Sequence, residues 1–255
     1  MLEARGLTKY YSAIPAVYEV SFTVRPGEVL GYLGPNGSGK STTVKMIAGL
    51  LDPTHGQVFF DGQNIKTDLP GYKSRFGYVP EEPHVYPYLT GREYLLLIGR
   101  MRCLPEKVLG HRIDALLRLF GLQSDRHLLM ASYSKGMRQK VLICSALLHD
   151  PELLIFDEPL SGLDVTTALI LRDLVSALAR RGKIVLYSSH VLETVEKLCS
   201  RVVILKKGRV AADGDVAELR DLMHAPSLEG VFAQLVLQEN TARIAADISD
   251  AMQLA

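Results

Sequence analysis

Cysteine is scarce, and what there is does not pair. Cys103, Cys144 and Cys199 stand alone among 255 residues and share no metal-ligand spacing. Three such thiols suit a reducing compartment, and each is expected as a buried structural group. An excess of charge of either sign is missing too. With 29 Lys and Arg against 28 Asp and Glu, the formal net charge is +1, so general binding to nucleic-acid phosphates or to an acidic membrane surface is not expected. The longest apolar runs, around Tyr94–Ile98 and Val141–Leu148, fall far short of the roughly 20 residues that span a bilayer. The N-terminal MLEARGLTKYY lacks the apolar stretch of a signal peptide. No internal repeat or low-complexity segment is found, and no guanine-reading N-K-x-D motif is present. The expectation is a cytoplasmic chain, soluble by itself.

What remains is an ordinary globular balance, 47% hydrophobic and 22% charged, long enough to bury a sizeable core. Short, nearly continuous apolar runs at Val29–Leu33, Phe76–Val79, Leu153–Phe156, Ile184–Ser188 and Val202–Leu205 have the pattern of strands covered on both faces of a parallel sheet. Val17–Val24 and Val58–Phe60 are further strand candidates, the first closed by the turn at Pro26-Gly27. Between Pro83 and Asp150 the pattern changes to helical spacing over Gly91–Arg102, Lys107–Phe120 and Ser134–His149, with no strand between them. The pattern is helical again after about Asp215, and the last 15 or so residues are weakly specified.

Gly34-Pro35-Asn36-Gly37-Ser38-Gly39-Lys40-Ser41 satisfies G-x-x-x-x-G-K-[ST] between an apolar strand and a helix that continues over Thr42–Leu50. Glycines let the backbone wrap so that successive N–H groups point into one concavity, and the helix N-terminus adds partial positive charge there. Lys40 can reach β- and γ-phosphates, and the Ser41 hydroxyl can ligate Mg. A second feature is Leu153-Leu154-Ile155-Phe156-Asp157-Glu158-Pro159, an apolar strand ending in two acids. Side chains alternate along a strand, so the two acids have different tasks: Asp157 associates with Mg through water, and Glu158 polarises the attacking water as general base. Solitary histidines such as His55 and His149 are expected to be structural or solvated.

Taken together, these motifs resemble the ATP-binding cassette (ABC) family over nearly the whole chain. Tyr133-Ser134-Lys135-Gly136-Met137-Arg138-Gln139 is similar to its LSGGQ signature in a variant with Lys and Met, and Ser161-Gly162-Leu163-Asp164 follows the acidic pair as the family's D-loop does. Ser188-Ser189-His190 resembles the switch histidine that contacts the γ-phosphate. Tyr11 aligns with the aromatic that stacks on adenine, with Tyr10 beside it as the competitor.

The resemblance implies an α/β fold: a P-loop NTPase core with a mostly parallel sheet, an N-terminal antiparallel β subdomain and an inserted helical subdomain. The core would take residues 1–83 and 151–215, the signature subdomain 84–150 and a helical extension 216–255. It also implies ATP and Mg as ligands, with Ser41, Asp157 and Glu81 around the metal. Glu81 stands where the family has glutamine, which links the two lobes; a carboxylate keeps that role and can ligate Mg, but adds negative charge near the γ-phosphate. In the implied mechanism two cassettes, as homodimer or heterodimer, pack head to tail, each ATP facing Ser134, Lys135 and Gly136 of the other chain. Hydrolysis powers a separate transmembrane permease, which would hold the chain at the inner face of the cell membrane. Pro83–Leu89, with its aromatic residues, lies where that permease would dock, or else covers its own lobe. Ser227-Leu228-Glu229-Gly230-Val231-Phe232 resembles the tail of exporter cassettes, the alternative being an ordinary amphipathic helix with a serine cap. An importer cassette and a soluble ATPase acting on a non-transport partner are the competing readings.

Overall fold

The computed structural model describes residues 1–236. The weakly specified last 15 or so residues lie outside them, as does the expected extension 216–255 from residue 237 on. Two sheets face each other. The first is antiparallel, in the order β2-β1-β4-β5, from β1 (Leu2–Tyr10), β2 (Pro15–Val24), β4 (His55–Phe60) and β5 (Gln63–Asn64). The second runs β10-β9-β3-β8-β7-β6, from β3 (Val29–Leu33), β6 (Phe76–Val79), β7 (Leu153–Asp157), β8 (Ile184–Ser188), β9 (Arg201–Lys206) and β10 (Arg209–Asp215). It is parallel except for β10, which returns antiparallel along β9. Every residue of β3, β7 and β8 is buried, which is why these strands read as unbroken apolar runs.

Side-chain alternation divides the core in two. From β3, Leu30 and Tyr32 join Leu2, Leu7, Val17 and Val20 between the sheets, while Val29 and Leu33 face the helical side. That helical side carries α3 (Gly91–Met101), α4 (Glu106–Leu119) and α5 (Lys135–Leu147), all inserted between β6 and β7. Leu95, Leu109, Ile113, Leu117 and Val141 make its fully buried centre. Its helices are locally well specified. Thr90 and Glu93 form a capping box at the start of α3, and the Ser134 hydroxyl accepts from the Met137 amide at the start of α5. The remaining helices are α1 (Lys40–Ile47), α2 (Leu69–Ser74), α6 (Val165–Arg180), α7 (Leu192–Leu198), α8 (Val216–Leu222) and α9 (Leu228–Val236). No described helix is long and apolar enough to cross a membrane.

Three differences from the sequence reading have local causes. Helix α1 starts at Lys40, two residues before the expected Thr42, and ends at Ile47, because Gly49 at φ 62° closes it. There the Gly49 and Leu50 amides turn back to the carbonyls of Met46 and Lys45. Strand β10 was not anticipated: none of its residues is fully buried and it lacks a long apolar run. Cys103, expected buried, is exposed. It holds the left-handed position after α3 at φ 56°, where its amide bonds the Arg100 carbonyl and that of Leu104 bonds Gly99. That geometry turns its side chain outward while Leu104 packs inward. Cys144 and Cys199 are buried as expected, and burial pushes both thiols far up. A thiol reagent at neutral pH should therefore modify Cys103 alone in the native chain within minutes, and all three after denaturation. Two or three fast thiols would contradict the packing around Cys144 and Cys199.

Candidate active site

A cavity of about 630 Å³ opens at the carboxyl edge of the parallel sheet, where open α/β folds place their ligands. Four neighbouring strands deliver its walls. The loop after β3 supplies Pro35, Asn36, Gly37 and Gly39 and leads into Lys40, Ser41 and Thr42; Glu81 follows β6, Asp157 ends β7 with Glu158 just after it, and His190 follows β8.

The loop's shape depends on glycine at two close approaches. A Cβ on Gly39, at φ 99°, would sit 2.6 Å from the Ala16 carbonyl oxygen and 2.8 Å from Val17 Cγ2. One on Gly34 would strike the Ser38 hydroxyl and come within 2.8 Å of the Leu205 carbonyl oxygen. Gly34 and Ser38 thus build the loop from beneath and do not line the cavity. Ser38 is buried, its amide donates to the Pro35 carbonyl, and its Oγ has no partner. Lys40 folds back, and Nζ donates to the carbonyls of Gly34 at 2.6 Å and Pro35 at 3.2 Å. Its pKa is lowered by burial, against the pull of Glu158, Asp157 and Glu81.

The two acids part at the strand end, Asp157 closing β7 and Glu158 following it, although both are buried and line the cavity. Asp157 is buried level with Ser188 of β8. Burial pushes its carboxyl up to about 6; the Ser188 hydroxyl pulls the other way, Glu81 and Glu158 add to the rise, and Lys40 offsets part of it. Glu158 leaves the strand at φ 48°, with its amide donating to the Ser188 carbonyl at 2.9 Å. Its Oε2 lies 2.8 Å from His190 Nδ1 and accepts from Ser189 Oγ at 3.3 Å. The Ser189 hydroxyl in turn accepts from the Val191 amide at 3.1 Å. Ser189 therefore orients the carboxylate, a task not assigned from sequence although it stands beside the histidine singled out there. Ala16, whose carbonyl abuts Gly39, also lines the cavity and had no motif to reveal it.

The other candidate residues stand apart from this cavity within one chain. Tyr11 lies between β1 and β2, 64% exposed, with Lys9 Nζ 5.7 Å above its ring. Ser134 caps α5, the Lys135 ammonium bonds Ser161 Oγ at 2.7 Å, and Gly136 packs on the Gly162 carbonyl. Asp164 caps α6 by accepting from the Thr167 amide and hydroxyl, and these bonds with Lys140 hold its carboxyl far below the usual range. His149 is structural as expected: half-buried, its Nε2 meets the Phe76 carbonyl at 3.0 Å, and burial with Arg102 lowers its pKa to about 4. Among the described residues no three acidic, histidine or cysteine side chains converge as a closed metal cage. The oxygen donors Ser41, Asp157 and Glu81 facing one cavity suit Mg, which keeps waters and substrate phosphates in its shell.

Known proteins resemble this chain in sequence and in fold. The family model for ABC transporters matches residues 17–161. The ABC-type transporter ATP-binding protein EcsA of Bacillus subtilis is 36% identical over 241 residues, covering 94% of this chain and 98% of that protein. A solved structure of an ATP-binding subunit of an ABC transporter superposes with a TM-score of 0.87 at 36% identity, over 92% of this chain and 99% of that one. A dimeric ATP-binding cassette in a post-hydrolysis state with ADP and Pi reaches 0.78 at 25% identity, over 84% and 98%. The antiparallel sheet, the parallel sheet and the helices inserted between β6 and β7 are those of such cassettes, and the chain belongs to the ABC transporter ATP-binding family, whose members are ATPases.

Proposed function

We propose that this chain powers export through a separate membrane subunit, by closing head to tail on a second cassette around two ATP molecules. One observation carries the reading. Ser134 and Gly136 open an exposed helix N-terminus that does not line the cavity of Lys40 and Glu158, so a second chain has to bring its own across to complete the site. Asp164, on the same side of α5 through its pair with Lys140, belongs to the surface that meets the partner. Residues 84–150 are read as the signature lobe and the two flanking stretches as the core.

ATP would lie with its phosphates on the Gly34–Thr42 loop and its adenine on the free face of Tyr11. Lys40 then leaves the carbonyls of Gly34 and Pro35 for the β- and γ-phosphates. Glu158 accepts a proton from water as the water oxygen attacks the γ-phosphorus, and ADP departs with the electrons of the broken P–O bond. Such a base contributes about 10²–10⁴ in rate. His190, released from Glu158, contacts the γ-phosphate. Mg, when bound, would neutralise phosphate charge; Ser41, Glu81 and, through water, Asp157 would hold it.

The export direction has independent support. Among relatives, LnrL of Bacillus subtilis is named a linearmycin resistance ATP-binding protein and is 37% identical over 219 residues. BcrA of Bacillus licheniformis is named a bacitracin transport ATP-binding protein and is 37% identical over 211 residues. The Ser227–Phe232 stretch carries less weight, since Ser227 caps α9 and Leu228 and Val231 are fully buried, which an ordinary amphipathic helix would also do. Pro83–Leu89 divides its tasks: Val85 and Leu89 pack on the chain's own core, while Tyr86 and Tyr88 are 60% and 85% exposed. Those two tyrosines are the part of the segment available to a membrane subunit.

Glu158→Gln should bind ATP, lose turnover and elute as a dimer with ATP, and adding Lys40→Ala should return it to monomer. Undiminished turnover would refute the base, and no ATP-dependent dimer of Glu158→Gln would refute the head-to-tail arrangement. Tyr88→Glu should leave basal ATPase unchanged but release the chain from membranes in which its permease is co-expressed; retention would remove this segment from the docking surface. Folding raises the Asp157 pKa from 3.8 to about 6, so the ionised carboxylate destabilises the nucleotide-free fold. That cost is absent below about pH 4 and grows as pH rises through 6. Asp157→Asn should therefore raise the melting temperature at pH 8 by roughly 5 °C and leave it unchanged at pH 4, while abolishing Mg-dependent turnover. An equal gain at both pH values would mean that the carboxylate is not the cause.

A further inference from the structure

The loop after Glu158 is gripped along one side by the first turns of α5. Lys135 Nζ donates to Ser161 Oγ at 2.7 Å, and its aliphatic stem passes over Gly162, which sits at φ 78°. Gly136 lies so close to the Gly162 carbonyl that a side chain there would collide with it. One turn on, the buried Gln139 donates from Nε2 to the Pro159 carbonyl at 3.4 Å, and Lys140 pairs with Asp164 at 3.0 Å.

Ser161 is the joint of this grip. Its hydroxyl accepts from Lys135, and its amide donates to the Glu158 carbonyl at 3.1 Å. Glu158 depends on such support. At φ 48° it occupies a left-handed conformation that a non-glycine residue keeps only when its surroundings hold it there. Two backbone bonds do so, from its own amide to Ser188 and from Ser161 to its carbonyl.

We propose that Lys135 is a positioning residue for Glu158. Through Ser161 it keeps the backbone of the base in the conformation from which its carboxylate faces the cavity. The proposal rests on the reading of Glu158 as the base. It departs from the role the family resemblance implies for Lys135, a contact with the partner's nucleotide, because the ammonium is already bound within its own chain. A glycine at this signature position has no side chain with which to reach the loop, so the clamp is a property of chains carrying lysine there.

Lys135 is exposed, and Lys135→Met keeps the stem over Gly162 while removing the ammonium. In the purified full chain, kcat should fall about tenfold to a hundredfold, with the KM for ATP within about twofold of the original. Ser161→Ala should do the same, the double variant should be no worse than either single one, and Lys135→Arg should restore most of the rate. Amide hydrogen exchange gives a reading that needs no turnover: the Ser161 amide should exchange faster in Lys135→Met while β7 is unaffected. A raised KM with kcat retained would assign Lys135 to the nucleotide and overturn the proposal, as would additive losses or an unchanged Ser161 amide. If the unsubstituted chain hydrolysed no ATP, the reading of Glu158 would fall, and exchange at Ser161 would still decide whether the clamp exists.

Discussion

A partly buried lysine facing three carboxylates across one cavity sets the terms for the rest of the molecule. Lys40 is held by two carbonyls of its own loop, and Glu81, Asp157 and Glu158 stand on the opposite wall. Burying a carboxylate, with two further acids beside it, is unfavourable, as the raised pKa of Asp157 records. The fold tolerates it because the same sheet edge is fixed from beneath by fully buried strands. Binding a phosphate chain with the cation proposed above would offset the cost. The site is therefore preorganised for a ligand that brings both signs of charge.

That preorganisation depends on topology more than on any one contact. The glycine loop, Glu81, the acidic pair and His190 all follow the carboxyl ends of parallel strands, and β3, β8, β7 and β6 are successive neighbours. Residues more than a hundred positions apart in sequence converge without long connections crossing the cavity. The register supports this: Asp157 lies level with Ser188, so the next residues on each strand, Glu158 and Ser189, are placed to meet.

Much of this was legible in the residues themselves, for identifiable reasons. The buried strands announce themselves because both faces are covered, and β3, β6 and β8 fall where their apolar runs do. The phosphate loop is legible because its shape needs glycine where backbone atoms nearly touch, as at Gly34 and Gly39. Strand β10 was not, since an exposed edge needs no apolar run. Cys103 was misplaced because composition says nothing of a helix C-terminus that turns a side chain outward. Ala16 and Ser189 act through a carbonyl and a hydroxyl placed by tertiary packing, and their residue types carry no local signal. Ser134, Lys135 and Gly136 were legible as a motif, yet their intrachain partners at Ser161 and Gly162 follow only from how α5 lies on the loop.

The same packing bears on how two sites would communicate. The N-terminus of α5, which a partner's nucleotide would engage, and the turn leaving Glu158 are joined by Lys135, Gln139 and Lys140. Of the three, Gln139 is buried, and close packing around such a side chain transmits displacement instead of absorbing it. A pull on Ser134 would thus be felt at the Ser161 amide, one hydrogen bond from the Glu158 carbonyl. Glu158 holds a backbone conformation that needs support, so small changes in that bond bear directly on where its carboxylate points. A link between the far nucleotide and the near base would require no additional moving part: α5 and the 158–164 turn are already in contact.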